Sequence, residues 1–184
     1  MSAISASWVL RRFMMVVVTC FFLGAFAYVD TVNGQGWSEL SIRLLDDAAF
    51  AVVEVAEGGK KVKHCPHHDH NGRLDYEQLI YVLGTIDAEV WISSRNRVTA
   101  KQHLDRHYSA FIKRARKAAL KDKVNINTAR LTELVRLPHI GPFLAVKMVQ
   151  HRDRISRFGS LEELRRIEGI GSETFNAIRH YLKL

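Results

Sequence analysis

Two stretches of this sequence, thirty residues apart, share one pattern that decides the fold of the C-terminal third. Residues 134–148 read LVRLPHIGPFLAVKM, and residues 164–178 read LRRIEGIGSETFNAI. In both copies apolar residues flank a short turn that ends in Ile-Gly. A helix, a glycine-containing turn and a second helix satisfy this spacing. Each copy therefore predicts a helical hairpin.

The residues around the turns predict where the helices begin. Pro142 follows the turn glycine of the first copy and suits the first helical position, whereas Ser172 is the expected N-cap of the second. Residues 160–163, Ser-Leu-Glu-Glu, read as a capping box that opens a further helix. Asn127 or Thr128 is the expected cap of the first helix.

Such a turn has a defined chemistry. It leaves backbone N–H groups at the start of a helix without a covering side chain, and an anion such as a DNA phosphate fits there. Ile140 and Ile170 are expected to pack inward and hold the two helices of each hairpin together. Two hairpins can each hold one strand across a minor groove. Amide–phosphate contacts carry no base information, so we expect sequence-tolerant binding.

Motifs across residues 124–184 are strongly similar to the tandem helix-hairpin-helix domain of ComEA-type competence proteins. The likeness rests on VNINTA at 124–129, LPHIGP at 137–142 and GIG at 169–171, with Phe158 and Leu164 between them. The resemblance implies a compact all-α DNA-binding domain. It also implies an exported or membrane-anchored protein that holds incoming double-stranded DNA during natural transformation.

The first hairpin departs from that family at one position. The family usually has Gly-Ile-Gly, and here His139 replaces the first glycine. If this position requires positive φ, histidine is costly there, which predicts a first hairpin with weaker phosphate binding. A protonated His139 would instead add a cation. The second hairpin, Gly169-Ile170-Gly171, is intact.

Charge is concentrated between the N-terminal half and the repeat. Residues 95–123 contain ten basic and two acidic residues, against seven and eleven in 1–94 and ten and six in 124–184. A basic run on a helix is usually a solvated face, but beside a DNA-binding domain an auxiliary phosphate-binding surface is almost as well supported. The predicted DNA-binding residues are His139, Ile140, Gly141, Lys147, Gly169, Ile170, Gly171, Ser172 and Arg179, with Lys113, Arg114, Arg116 and Lys117 in the basic run.

Residues 1–29 have the pattern of an export segment. Arg11 and Arg12 precede an uncharged apolar run from Phe13 to Val29, and Ala25-Phe26-Ala27 fits a cleavage site. The run is at the lower limit for spanning a bilayer. A cleaved signal and an inner-membrane anchor through 13–29 both remain open, and both predict a periplasmic or otherwise extracytoplasmic protein.

Between the export segment and the repeat, composition predicts a linker at 30–38 and a small α+β module at 39–94. Its strands are expected to pair across Gly58-Gly59, with a helix starting near Asp75. A basic helical bridge occupies 95–123. The fold class is therefore mainly α, with further helices predicted near 41–45, 74–83 and 100–120.

A histidine-rich loop, HCPHHDH at 64–70, contains residue types that ligate metals. Pro66 and the short spacing make convergence on one ion hard, and no second ligand cluster follows at the usual spacing. A calcium loop is also disfavoured, because His67 and Gln78 stand where an EF-hand has Asp and Glu. We therefore predict a structural loop without metal. The residues that would be candidate ligands if a metal were bound are His64, Cys65, His67, His68 and His70.

Residues 48–110 resemble, with moderate specificity, a small module of phage prohead-protease and capsid-related proteins. The matching strings are FAVVE at 50–54, GKK at 59–61, PHHD at 66–69 and AKQHL at 100–104, with Gly72 and Asp75. The resemblance implies no activity. It favours a structural role for the histidine-rich loop and a buried rather than catalytic thiol at Cys65.

Motifs of catalysis are absent from the sequence. There are no paired carboxylates, no Ser/His/Asp order and no phosphate-binding loop, so we expect a non-enzymatic protein without a cofactor. The leading interpretation is sequence-independent binding of double-stranded DNA in DNA uptake, with proteins of the uptake machinery as further partners. The alternative is a structural or protein-interaction subunit of an envelope assembly that uses the helix-hairpin-helix fold as a scaffold.

Overall fold

The computed structural model describes residues 36–117 and 122–184, which are mainly helical with two small sheets. Within those stretches no helix combines the length and apolar character needed to cross a bilayer. The predicted export segment at 1–29 lies outside the described residues. The elements are α1 (Glu39–Arg43), β1 (Phe50–Val55), β2 (Lys61–Pro66), α2 (Tyr76–Thr85), α3 (Ser94–Ala115), β3 (Val124–Asn125), α4 (Leu131–Leu134), α5 (Pro142–Ile155), α6 (Ser172–Ile178) and β4 (Leu182–Lys183).

The first half of the described chain is a β-hairpin covered by helices. Strands β1 and β2 pair antiparallel, and the turn between them contains Gly58 and Gly59 at φ +77° and +79°. The hairpin predicted across these glycines is confirmed. Asp75 caps α2 by accepting a hydrogen bond from the Gln78 amide at 3.0 Å, as its position before the helix predicted. Trp37, within the expected linker, is instead buried.

Helix α3 is the longest element among the described residues, and it lies against both β1 and α2. It begins at Ser94, earlier than the predicted start at residue 100, and its buried face includes Ala100 and Leu104. The described helix ends at Ala115. Because residues 118–121 are not described, the predicted extension to 120 lies partly outside the described chain.

The C-terminal region contains both predicted hairpins. In the first, α4 and α5 flank the turn, and in the second a 3₁₀ helix, Leu161–Arg166, and α6 do so. The parallel pair β3 and β4 joins the start of this region to its end. One apolar core runs beneath both hairpins and includes Leu131, Leu134, Leu137, Ile140, Val149, Phe158, Leu164, Ile170, Phe175 and Ile178.

Three capping predictions need correction. Ser172 is the first residue of α6 rather than its cap, which is Gly171. Ser160 makes no side-chain capping bond, and the helix after it is 3₁₀. Neither Asn127 nor Thr128 caps α4, because its N-cap is Arg130; the Asn127 side-chain amide exchanges two hydrogen bonds with the Phe158 backbone, at 2.7 and 3.1 Å. The Asn127 side chain therefore satisfies a distant backbone partner instead of the nearest helix end.

Helix α2 joins the two halves of the described chain. A Cβ atom on Gly84 would lie 2.8 Å from the Pro142 carbonyl oxygen, so only glycine permits this approach to the start of α5. Glu77 also reaches across and accepts hydrogen bonds from the Leu131 and Thr132 amides, both at 3.0 Å. These are otherwise unpaired donors at the first turn of α4. The first hairpin is therefore braced by the preceding module.

Candidate nucleic-acid interface

The two turns have closely similar backbone geometry. His139 has φ +59° and Gly169 has φ +92°, so both first positions lie in the left-handed region. The next residues, Ile140 and Ile170, are 1% and 2% exposed. Their amides close the same tight turn. The Ile140 amide donates to the Leu137 carbonyl oxygen at 3.3 Å, and the Ile170 amide donates to the Ile167 carbonyl oxygen at 3.0 Å. Both isoleucines pack inward as expected, so any DNA contact they make is through backbone.

The glycines that end the turns leave their amides uncovered. Gly141 and Gly171 are the N-caps of α5 and α6. A Cβ atom placed on either glycine would meet nothing within 4 Å. Within residues 36–117 and 122–184, neither glycine amide donates to a protein acceptor. An anion can therefore reach this backbone at close range.

The two hairpins touch each other beside these turns. Lys147, on α5, forms an ion pair of 2.6 Å with Glu168, which precedes the second turn. The lysine ammonium also lies 4.4 Å from the centroid of the exposed Phe143 ring. A Cβ atom on Gly169 would approach a terminal methyl group of Leu144 to 2.8 Å, which that side chain can relieve by moving, so the position requires glycine chiefly for its φ of +92°. Lys147 is thus engaged in the unbound protein.

Comparison with known proteins addresses this same region. The helix-hairpin-helix motif family matches residues 120–183. ComE operon protein 1 of Bacillus subtilis is 38% identical over 56 residues, which are 30% of this chain and 27% of that protein. The described residues of this segment, 122–183, form a helix-hairpin-helix domain of the ComEA type.

Other relatives carry similar segments in chains of different length. An uncharacterized protein of Haemophilus influenzae is 38% identical over 63 residues, 34% of this chain and 56% of that protein. The endonuclease/exonuclease/phosphatase family domain-containing protein 1 of Danio rerio is 36% identical over 58 residues, 32% of this chain and 10% of that protein. The matched segment thus spans between about a tenth and just over half of the length of these relatives. No solved structure matches it.

Charge is unevenly distributed around the helix-hairpin-helix domain. The first turn of α5 has no acidic residue, whereas Glu173 lies in the first turn of α6 and Glu168 just before it. Arg165 donates to the Ser172 hydroxyl at 3.1 Å, so that hydroxyl is already paired. Arg179 is exposed at the end of α6. The second turn has the intact glycines but the more acidic surroundings.

The basic run lies beside the first hairpin. Lys113, Arg114, Arg116 and Lys117 are exposed at the C-terminal end of α3. The Arg116 guanidinium donates to the Val135 carbonyl at 3.1 Å, which fastens the run to the first hairpin. Arg114 donates to the Tyr76 hydroxyl at 2.9 Å. The basic run and the first turn therefore belong to neighbouring parts of the surface.

Within the histidine-rich loop, three of the five ligand candidates have other partners. His64 is held between two carboxylates, with its ring nitrogens 2.9 Å from Glu54 and 2.9 Å from Glu89, and it stacks on Trp91. Cys65 is fully buried, and burial raises the pKa of its thiol. His70 is exposed beside Asn71 at the tip of the loop.

Glu54 is the centre of this polar cluster. Burial opposes its ionisation, but hydrogen bonds from the Ile92 amide, Asn96 and the Ser93 amide outweigh burial, and His64 adds a further one. The pKa of the Glu54 carboxyl falls to about 2. These bonds tie β1 and β2 to the start of α3. His64, the first residue of the histidine-rich loop, therefore has a structural role.

The remaining two candidates are brought together with residues that sequence reasoning missed. His67 and His68 meet His103 and His107 of α3. These two histidines follow the loop at a much longer separation than the usual ligand spacing, at which no second cluster was expected. The signal was present, because His103 and His107 are four residues apart in a predicted helix and so share one face. Their distance in sequence from the loop concealed the contact.

Proposed function

We propose that this chain is a non-enzymatic protein that binds double-stranded DNA without sequence preference, outside the cytoplasm, as part of DNA uptake. The observation that carries the proposal is the pair of turns with matched geometry and uncovered glycine amides in a ComEA-type helix-hairpin-helix domain. Similarity to ComE operon protein 1 supports a role in competence.

The binding mechanism follows from the turns. Each offers backbone N–H donors to phosphate oxygens, and hydrogen bonds to a charged acceptor are about twice as strong as neutral ones. Helix α6 has seven residues, so its dipole adds little, and the amides themselves carry the interaction. Arg179 and the basic run would add Coulomb attraction that is independent of base sequence. Lys147 would exchange Glu168 for a phosphate.

The proposed location rests on the sequence. Arg11-Arg12, the apolar run at 13–29 and the Ala25-Phe26-Ala27 site favour export. An anchored form would hold the domain at the inner membrane, and a cleaved form would release it. Either form would allow contact with proteins of the uptake machinery.

A scaffold role is the second candidate, and the second hairpin favours it. Glu168 and Glu173 beside that turn repel phosphate, and Phe143 beside the first is 53% exposed and offers an apolar contact to protein. In that case the hairpins would dock a protein partner and not DNA.

Duplex binding by the full-length protein at two salt concentrations distinguishes the two. Random-sequence duplex should bind with Kd of roughly 10⁻⁴–10⁻⁶ M at physiological salt, and affinity should fall steeply as salt rises. Two unrelated duplexes should bind equally. Absence of duplex binding at low salt would exclude the DNA proposal and leave the scaffold.

A further inference from the structure

Four imidazole rings converge where the histidine-rich loop meets helix α3. His67 and His68 follow β2, and His103 and His107 lie one turn apart on α3. Ring centroids of neighbouring members are 4.3 to 5.4 Å apart. His67 is fully buried and the other three are half-buried. We call these four residues the histidine cluster.

The hydrogen bonds of His67 fix which of its nitrogens is free. Its Nδ1 lies 3.0 Å from the Cys65 carbonyl oxygen, and a carbonyl only accepts, so Nδ1 carries the hydrogen. With the hydrogen on Nδ1, Nε2 of the neutral ring is a bare lone pair, and it faces the His103 ring of the cluster.

That lone pair faces a network with too few hydrogens. The Nε2 atom of His103 lies 3.0 Å from Nε2 of His67 and 3.2 Å from Nε2 of His107. A hydrogen on His103 Nε2 can point to Nε2 of His67 or to Nε2 of His107, but not to both. The nitrogen that does not receive it then lies close to His103 Nε2 without a hydrogen bond. A cation shared by these nitrogens satisfies all three.

Two of these distances, 3.0 and 3.2 Å, are close to the separation of nitrogens bound to a common metal ion. Zinc–nitrogen bonds of about 2.0–2.1 Å in a tetrahedral site place the ligand atoms about 3.3 Å apart. One ring nitrogen each of His67, His68 and His107 also lie within 4.8 Å of one another. A carbonyl bonded to the far nitrogen, as on His67, is the usual support of a metal-binding imidazole.

We propose that the histidine cluster binds one divalent transition-metal ion of the zinc class, with His67, His103 and His107 as ligands and His68 as the fourth. An all-imidazole donor set suits zinc, copper or nickel and does not suit calcium or magnesium. Asp69 lies outside the group of converging ligand atoms, and its Oδ1 accepts hydrogen bonds from the Asn71 and Arg73 amides, both at 2.8 Å.

A bound ion would clamp the loop after β2 to the middle of α3. The C-terminal end of the same helix carries the basic run, so the metal would fix that helix against the β-hairpin. His68 also lines an open surface pocket with Ala49, Asp69 and Gly72. That pocket provides an entry path, and water can occupy a coordination position if His68 turns outward.

Zinc titration of the untagged, full-length protein, stripped with a chelator, tests the site directly. A chromophoric zinc chelator competes for the ion, and elemental analysis after gel filtration gives the stoichiometry. We expect one equivalent of zinc per chain. His103→Ala/His107→Ala should weaken binding by more than roughly 100-fold, beyond the effect of losing a supporting residue. The matched control is His70→Ala, in the same loop, which should bind as the parent does.

Two further readings keep the result unambiguous. Zinc should raise the Tm of the parent and of His70→Ala but not that of the double variant, since metal that binds only the folded state stabilises it. If the double variant fails to fold, the single variant His107→Gln at a half-buried position replaces it. Less than stoichiometric zinc in the parent, or equal affinity in a folded cluster variant, would overturn the proposal.

Discussion

The two hairpins of this domain have nearly the same backbone and opposite surroundings. The first turn has His139 at a left-handed position, the basic run beside it and Glu77 bracing its first helix. The second has glycine at that position but carries Glu168 and Glu173. Backbone geometry favours the second turn for phosphate, whereas charge favours the first. Turn geometry, which the fold requires, is thus shared by the two hairpins, whereas the surrounding charge, which a phosphate would sense, differs between them.

The left-handed residue shows the difference most clearly. Holding a residue other than glycine in a sparsely populated backbone region costs of order 1–3 kcal/mol, with the αL region at the lower end for histidine. The surrounding core evidently maintains the turn with His139 in place. A histidine at that position therefore lowers stability more than it alters the path of the chain.

The largest effect is expected from Gly171→Asp. The new carboxylate would occupy open space where a phosphate is proposed to bind, so folding should be unaffected. Duplex affinity should fall about 10-fold or more, equivalent to losing a charge-assisted hydrogen bond of about 1.5–3 kcal/mol. Fluorescence anisotropy with labelled duplex measures the change. Gly171→Ala is the control for added bulk, and a loss as large as that of the aspartate variant would implicate shape and not charge.

The brace on the first hairpin should be the next most sensitive feature. Gly84→Val would drive a side chain into the Pro142 carbonyl and Val146, and overpacking of this kind costs about 1–3 kcal/mol. Urea denaturation gives the free energy of unfolding. Gly141→Ala, which adds a methyl group in open space at the same hairpin, should lose much less. Equal stability of Gly84→Val and the parent would show that the two halves do not pack as described.

Salt dependence should separate the cations near the two turns. Removing either Lys147 or Arg179 should reduce the slope of log affinity against log salt by about 1, if each contacts one phosphate. Glu168→Gln should instead tighten binding, because it frees Lys147 and removes a repulsive charge. A slope unchanged in both cation variants would place the phosphates elsewhere.

The smallest effect is expected from His139→Gly, which gives the first turn the glycine of the second. The substitution should relieve the backbone strain of a histidine at φ +59°. The gain in stability should be partly offset by the greater freedom of glycine in the unfolded chain. Duplex binding should be equal or better. A clear loss of affinity, with unchanged stability, would show that the imidazole itself contacts DNA.

Local pattern was sufficient for several features of this molecule. The repeat predicted both hairpins, Gly58-Gly59 predicted the β-turn, and Asp75 predicted the start of α2. Each of these depends on residues close in sequence, where periodicity and turn chemistry act directly.

Long-range partners were the features that could not be predicted. Asn127 looked like a helix cap, yet the Phe158 backbone, 31 residues away, satisfies its amide. Glu77, on another helix, accepts hydrogen bonds from the first turn of α4. Gly84 appears in the sequence only as a residue of low helix propensity, and its close approach to the Pro142 carbonyl is visible only in the structure. Likewise His103 and His107 join the histidine-rich loop only once α3 is folded onto the hairpin.

The central claim is that both turns hold phosphates, and the duplex affinity of Gly141→Asp/Gly171→Asp tests it most directly. If the turns contribute independently, the double variant should lose about the product of the two single losses while retaining the helical circular dichroism of the parent. A folded double variant that binds duplex as tightly as the parent would contradict the account, and would move the DNA-binding surface to the basic run at Lys113–Lys117.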